Sequence, residues 1–407
     1  MSDTQKHTKP NVPNLRFPGF RGEWEKRRIG EDCAVNMCKR IFANQTSEQG
    51  DVPFFKIGTI GGPPDAYISK DLFEEYKAKY NYPRKGEVMI TCAGTVGKTI
   101  VFDGEDAYFQ DSNIVWLSNP KQLYINSFLN YVLSKVNWNK LNSTTITRIY
   151  NDNLRELVIN YPSVKEQEKI VTLLSFLDQR IAIQNKVIER LKSLIRGLNN
   201  KLMDNPLWDK VYIGDFMQFY STNSLSWEQL SYENGRIRNL HYGLIHIGLP
   251  TMTDCDGNTL PFIQSQFIPK QFTICKDGDI AFADASEDTE EVGKAVELYN
   301  TDSMDVVCGL HTIHGRDIMG ITTAGFKGFA FNSKYFHNQL RRLAQGSKVY
   351  SITAENIKKC YIHIPKVTDQ RKIVGLLLCL QDKIECAERE LNIFEMQKRF
   401  MLREMLV

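Results

Sequence analysis

Four groups of residues in this chain of 407 are of a type that could do chemistry: a glycine-lysine-threonine step, a run of carboxylates, a close pair of histidines, and nine cysteines. Gly94-Thr-Val-Gly97-Lys98-Thr99 invites a phosphate-loop reading, but that loop needs a glycine five positions before its Gly-Lys-Thr so that backbone N–H groups can wrap the phosphates. Cys92 stands there instead. Asp279, Asp284, Glu287, Asp288, Glu290 and Glu291 resemble the raw material of a metal-dependent nuclease, yet acids clustered in a loop are commonly solvated or capping residues. Cys33 and Cys38 lack the second pair or nearby histidines that would complete a zinc set. His311 and His314, within Cys-Gly-Leu-His-Thr-Ile-His-Gly, read as strand or loop residues, and the thiols as reduced core residues. There is no Gly-x-Gly-x-x-Gly fingerprint, and no Asn-Pro-Pro-aromatic or Asp-Pro-Pro-Tyr tetrapeptide of the kind that holds a target base for methylation. The expectation is a chain with no catalytic residues, no metal and no cofactor of its own.

What the sequence does contain is a duplication. Residues 162–203 overlay residues 365–406 without a gap, at a separation of 203. Pro162, Gln167, Lys169, Ile170, Val171, Leu173, Leu174, Leu177 and Ile181 meet Pro365, Gln370, Lys372, Ile373, Val374, Leu376, Leu377, Leu380 and Ile384. Asn153-Leu154 matches Asn356-Ile357 at the same separation, whereas Trp24-Glu-Lys-Arg-Arg-Ile-Gly30 matches Trp208-Asp-Lys-Val-Tyr-Ile-Gly214 at 184. The second unit is therefore longer between its anchors, and between them the two halves align only in pieces. Similar frames with dissimilar contents imply two modules built alike that read different things.

Each unit begins short, mixed and turn-rich. Residues 86–91, 97–102 and 113–117 predict brief strands, echoed by 278–283 and 294–299, while helices are expected over 125–141 and 333–344. Each unit then closes on a rod. Alternating steps of four and three from Ile170 reach Leu174, Leu177, Ile181, Gln184, Ile188, Leu191, Ile195, Leu198 and Leu202. The same steps from Ile373 reach Leu377, Leu380, Ile384, Ala387, Leu391, Phe394, Lys398, Met401 and Met405. A repeat of about 3.5 residues held this long is a coiled-coil seam. The resulting fold class is α+β: two tandem α+β globules, each followed by a long helix, with the two helices pairing as an antiparallel coiled coil of pseudo-twofold symmetry. A seam paired between two copies of the chain is the alternative. The expected boundaries are a flexible tail at 1–13, globules at 14–160 and 205–363, and helices at 161–204 and 364–407.

Composition is consistent with two ordinary cores, at 42% apolar residues. A net charge of +3 neither demands nor excludes nucleic acid, because Lys26-Arg27-Arg28, Arg84-Lys85 and Arg341-Arg342 can form local basic faces. Residues 1–11 are polar and no apolar run approaches membrane-spanning length, so the expectation is a cytoplasmic chain without a membrane partner.

Specific residues then carry a resemblance. Asn14-Leu-Arg-Phe-Pro-Gly-Phe-Arg-Gly-Glu-Trp24 resembles the opening of the specificity subunits of type I restriction-modification systems. The Pro-x-x-x-x-x-Gln-x-x-Ile element at 162 and 365, ahead of a long helix, resembles their two repeated regions, and residues 279–288 resemble part of their target recognition domains. The resemblance implies a non-catalytic subunit of a host-defence complex whose two globules each read half of a split double-stranded DNA target. It implies that the helices act as spacer and dock two modification subunits. Those would carry S-adenosylmethionine and methylate adenine, while separate restriction subunits use ATP and cut.

The same resemblance points to two sets of DNA-contacting candidates. One precedes each helix: Ser143, Thr144, Thr145, Thr147, Arg148 and Tyr150 in the first unit, and Gly346, Ser347, Lys348 and Tyr350 in the second. The other is the loop Cys92 to Lys98, with Thr91 just before it, offering Thr91, Gly94, Thr95 and Lys98; its rough counterpart, Asp284 to Glu287, offers Ser286. Hydroxyls, cations and backbone N–H groups are what hold phosphates and read base edges. The competing reading is a coiled-coil adaptor whose globules bind proteins and not DNA.

Overall fold

The computed structural model describes residues 11–138, 148–257, 259–288, 291–346 and 348–407. The chain divides into two compact units, residues 1–184 with 390–407 and residues 185–389.

In the first unit an antiparallel sheet of four strands runs in the order Ala34–Met37, Ile114–Ser118, Val88–Thr91, Thr99–Val101. Side chains of a strand alternate between faces, and here both faces are covered. Val88, Ile90, Val115 and Leu117 enter one apolar cluster together with the helical residues, whereas Met89, Ile114 and Trp116 enter a second cluster rich in aromatics, with Phe54, Phe73 and Tyr108. This explains why Val88-Met-Ile-Thr91 is a continuous buried run and not an alternating one. A three-stranded sheet, Tyr67–Ile68, Val52–Phe55, Tyr108–Phe109, closes over the aromatic cluster.

The second unit repeats the plan with more strands. Its main sheet runs Met217–Tyr220, Thr312–Asp317, Ile280–Ala283, Ala295–Tyr299, Met252–Asp254, the last pair parallel. Ile280 and Phe282 face the helix-side core and Ala281 and Ala283 face another, beside a four-stranded sheet that ends on Asp305–Cys308. The extra length expected between the anchors lies in this sheet-forming part.

The two sequence anchors pair with each other in both units. Glu25–Arg28 is antiparallel to Val158–Tyr161, with Glu25 opposite Tyr161. Asp209–Tyr212 is antiparallel to Tyr361–Ile364, with Asp209 opposite Ile364. One turn follows in each, closed by Ile29 N–H donating to Leu157 C=O and Ile213 N–H to Cys360 C=O, both at 2.9 Å. Two stretches that repeat at different separations are thus one structural joint.

That joint feeds the helices Val164–Met203 and Val367–Met405. The predicted seam positions are buried or half-buried throughout both helices. Within the first unit Lys398 pairs with Asp178 at 2.5 Å and Gln184 bonds Glu390 at 3.1 Å, so the helices run antiparallel there. Each globular core takes in the start of one long helix and the end of the other: Ile170 and Leu174 with Met405 and Leu406 in the first, Ile373 and Leu377 with Met203 in the second.

Two local expectations need adjustment. The helix predicted over 125–141 is Asn126–Lys135, since Val136 turns extended and Trp138 folds back into the core. Its predicted end falls partly outside the described residues. The helix predicted over 333–344 is Lys334–Leu343, capped by the Ser333 hydroxyl, which accepts from Phe336 N–H. Among the described residues no helix is long and apolar enough to cross a membrane.

Candidate nucleic-acid interface

In the first unit the loop 92–98 joins the strands Val88–Thr91 and Thr99–Val101, and residues 148–150 lie against it. The strand's hydrogen bonding continues into this neighbourhood: Cys92 N–H donates to Asn113 C=O at 2.7 Å, and Cys92 C=O accepts from Ile149 N–H at 2.8 Å. The loop's foot is closed by Thr91. Its N–H donates to Lys98 C=O at 3.0 Å, its hydroxyl accepts from Lys98 N–H at 3.0 Å, and that hydroxyl also donates to Thr95 C=O. Thr91 is fully buried, so its work is to shape the loop. Gly97 has φ +81°, and a Cβ there would lie 2.0 Å from Trp138 Cδ1, so no other residue fits. Gly94 (φ +64°) and Thr95 are exposed at the tip. The Lys98 amine donates to Ile60 C=O at 2.6 Å. Tyr150, 60% exposed, carries the Arg148 guanidinium 5.9 Å from its ring centre. Burial pushes the Cys92 thiol up to about 12, so it stays protonated and inert.

The second unit builds the same frame. Asp284 N–H donates to His311 C=O at 3.1 Å, and Asp284 C=O accepts from Ile352 N–H at 2.9 Å. Ser286 sits opposite Tyr350 in a short antiparallel pairing of Ala285–Ser286 with Tyr350–Ser351. The Ser286 hydroxyl accepts from Asp288 N–H at 3.1 Å. Lys348 is exposed, and Gly346 (φ +136°) has no room for a Cβ, which would fall 1.8 Å from Val349 O. The described members of the two predicted sets are therefore neighbours in each unit. Ser143, Thr144, Thr145, Thr147 and Ser347, along with Glu290, lie outside the described residues.

The frame also identifies residues that sequence reasoning missed. Gly293 N–H donates to Ala283 C=O and Ala283 N–H to Lys294 C=O, both at 2.9 Å, just as Gly97 and Lys98 bond Thr91. Gly293 (φ +79°) meets Leu340 as Gly97 meets Trp138. Lys294 is thus the counterpart of Lys98, and it pairs with Glu291 at 3.0 Å. The signal was present as Val96-Gly97-Lys98 and Val292-Gly293-Lys294, obscured because the second loop is longer.

Beside this loop stands an aromatic and imidazole group of which sequence reasoning singled out His311 alone. His311, in a left-handed turn (φ +54°), holds Asp284 Oδ1 at 3.0 Å and packs on Tyr242 at 5.1 Å. His246 Nε2 meets Ala285 O at 2.9 Å, and Trp227 lies 4.4 Å from His241. Burial, reinforced by His311, lowers the His241 pKa, keeping that ring neutral as it accepts from Gly243 N–H. Such a margin offers flat rings, hydroxyls, amides and cations on rigid strand ends, which suits recognition of a ligand carrying phosphates and base edges.

The chain is similar in sequence and in fold to known proteins. Residues 21–193 match the family described as type I restriction modification DNA specificity domain. A Haemophilus influenzae protein described as a putative type I restriction enzyme specificity subunit is 49% identical over 163 residues, 40% of this chain and 42% of that protein's length. The putative MjaX specificity subunit of Methanocaldococcus jannaschii is 21% identical over 425 positions, covering 94% of this chain and 93% of its own. Among solved structures, the type I restriction-modification S subunit of M. genitalium shares the fold with TM-score 0.58 at 17% identity, over 97% of this chain and 99% of that one. A chain from a type I restriction-modification complex gives 0.57 at 14% identity, over 95% and 97%. The family match lies in the first unit and the helix that follows it, and the fold likeness extends over both units. Residues 21–193 of the chain are therefore similar to the type I restriction modification DNA specificity domain, and the chain as a whole has the fold of the solved S subunit.

Proposed function

We propose that this chain reads a split double-stranded DNA target, one half-site per globule, through the paired loops at 92–98 with 148–150 and at 284–294 with 346–351. The observation that carries the reading is the doubled frame. An identical set of backbone hydrogen bonds around Cys92 and Asp284 presents loops that differ in length and side chains. A rigid scaffold with variable tips is what two recognition surfaces of different sequence preference require. In this reading the long helices set the half-site spacing, which makes that spacing a geometric property of the protein.

Two modification subunits dock on the helices, and Phe176 and Ile183, 59% and 60% exposed on the first helix, suit such a face. S-adenosylmethionine and adenine methylation belong to those subunits, and ATP and cleavage to restriction subunits. The test is co-expression with the cognate modification subunit in a host lacking adenine methylation, followed by long-read mapping of N6-methyladenine. A split motif with an undefined gap is expected, and exchanging one globule should change one half of it only. No methylation in the presence of a folded modification subunit would shift the reading to the protein-binding adaptor.

A further inference from the structure

The second unit contains a buried group outside the interface. Cys275, Cys308 and His314 are each 3% exposed or less, and their two sulfurs and one ring nitrogen all lie within 4.8 Å of one another. The sulfurs are 3.6 Å apart. Two thiolates on one tetrahedral zinc, at the usual bond length of about 2.3 Å, stand about 3.8 Å apart. His314 Nε2 is held by Asp279 Oδ2 at 2.7 Å, and Asp279 is gripped by Arg316 through Nε and Nη2, also at 2.7 Å each. The remaining nitrogen, Nδ1, is buried and makes no hydrogen bond of ordinary geometry among the described residues, with the Cys275 sulfur close by. A buried ring nitrogen left this way is unfavourable, and a ligand on its lone pair removes the penalty. A carboxylate fixing the far nitrogen of an imidazole is the outer support that metal-ligating histidines ordinarily have.

We propose that Cys275, Cys308 and His314 Nδ1 bind one zinc ion as a structural centre, with a water as fourth ligand. Binding forms two Zn–S bonds and one Zn–N bond and releases both thiol protons to solvent. Two thiolates balance the ion's charge, which is what allows it to sit in a buried site. The ligands come from the segment before Ile280–Ala283, the end of strand Asp305–Cys308 and strand Thr312–Asp317. The centre thereby fastens the four-stranded sheet to the five-stranded one at both ends of the turn that carries His311. The sequence expectation of no metal rested on adjacent cysteine pairs, and these ligands are scattered instead.

The test uses the full chain, co-expressed with its modification subunit and carrying C379S and C386S so that the two exposed thiols contribute nothing. Elemental analysis after gel filtration should give about one zinc per chain, and cobalt exchange should give thiolate-to-cobalt charge-transfer absorption with tetrahedral d–d bands. Cys275→Ser and Cys308→Ser should each lower the zinc content at least about fivefold and weaken the charge-transfer band. Folded chain with no zinc and no cobalt band overturns the proposal. So does a mass two hydrogens lighter without reductant, which would mean a Cys275–Cys308 disulfide, and so does zinc retained by both serine variants. Because the unsubstituted site is itself read, a variant that fails to fold does not leave the question open.

Discussion

Gln167 donates its side-chain amide to the carbonyl of Leu123 at 2.9 Å, and the same residue accepts from Ile125 N–H at 2.8 Å and donates to Pro162 C=O at 3.0 Å. Gln370 repeats all three bonds with Ile321, Thr323 and Pro365. Both glutamines are essentially without exposure, so each is the clamp that fixes a long helix to its globule. Gln167→Leu keeps the volume and orphans buried backbone groups, and should cost about 2–4 kcal/mol. Urea unfolding of the full chain, compared with Gln370→Leu, checks this; an unchanged midpoint would mean the clamp contributes nothing.

Gly97→Ala should loosen the first loop. The left-handed backbone costs an alanine about 1 kcal/mol or more, and its Cβ would have to displace the Trp138 ring. Amide exchange around Cys92 and Ile149 should accelerate in the variant, while the equivalent bonds at Asp284 and Ile352 keep their protection. Equal acceleration in both units would contradict a local role.

The helices and their seams were legible because a 3.5-residue period is local, and the glutamine anchors because they repeat at constant separation. The joint of Glu25–Arg28 with Val158–Tyr161 was legible only as two separate resemblances. Pairing across more than a hundred residues leaves no local trace, and neither charge nor hydrophobic pattern links Arg27 to Ile159. Lys294 was missed for a related reason: a longer loop shifts Gly293-Lys294 out of register with Gly97-Lys98, and only the hydrogen bonds at the loop foot restore the match. By its hydroxyl Thr91 reads as a DNA contact, and the fold turns that hydroxyl inward, where it accepts from Lys98 N–H. Cys275, Cys308 and His314 meet because sheet topology brings distant strands together.

Acid should weaken the first unit through Asp32. Burial opposes its charge, but the Lys121 amine at 3.0 Å and the Tyr124 hydroxyl at 2.9 Å outweigh that and hold its pKa below the ordinary value. A depressed folded pKa gives stability that is present above the unfolded value of about 3.9 and is lost as pH falls through the folded one. Asp32→Asn should therefore destabilise by about 1.5–3 kcal/mol at pH 7. The gap to the parent should narrow on titration below about pH 4. Parallel stability curves across that range would show that another carboxylate dominates.

Charge at the loops should be read most directly by salt. Lys348 is exposed on the segment that pairs with Ser286, and an exposed lysine facing phosphate adds affinity without sequence information. On the proposed reading, Lys348→Ala should weaken binding to cognate and unrelated duplexes alike, and lower the slope of log K against log salt by about one. Lys98 and Lys294 occupy matched positions at the feet of their loops, yet Lys98 is committed to Ile60 C=O and Lys294 to Glu291. Replacing either should change the slope less than Lys348→Ala and disturb the loop more. Fluorescence anisotropy across a salt series separates these outcomes. A full unit of slope lost at Lys98 would mean that its amine leaves Ile60 for the phosphate when DNA binds.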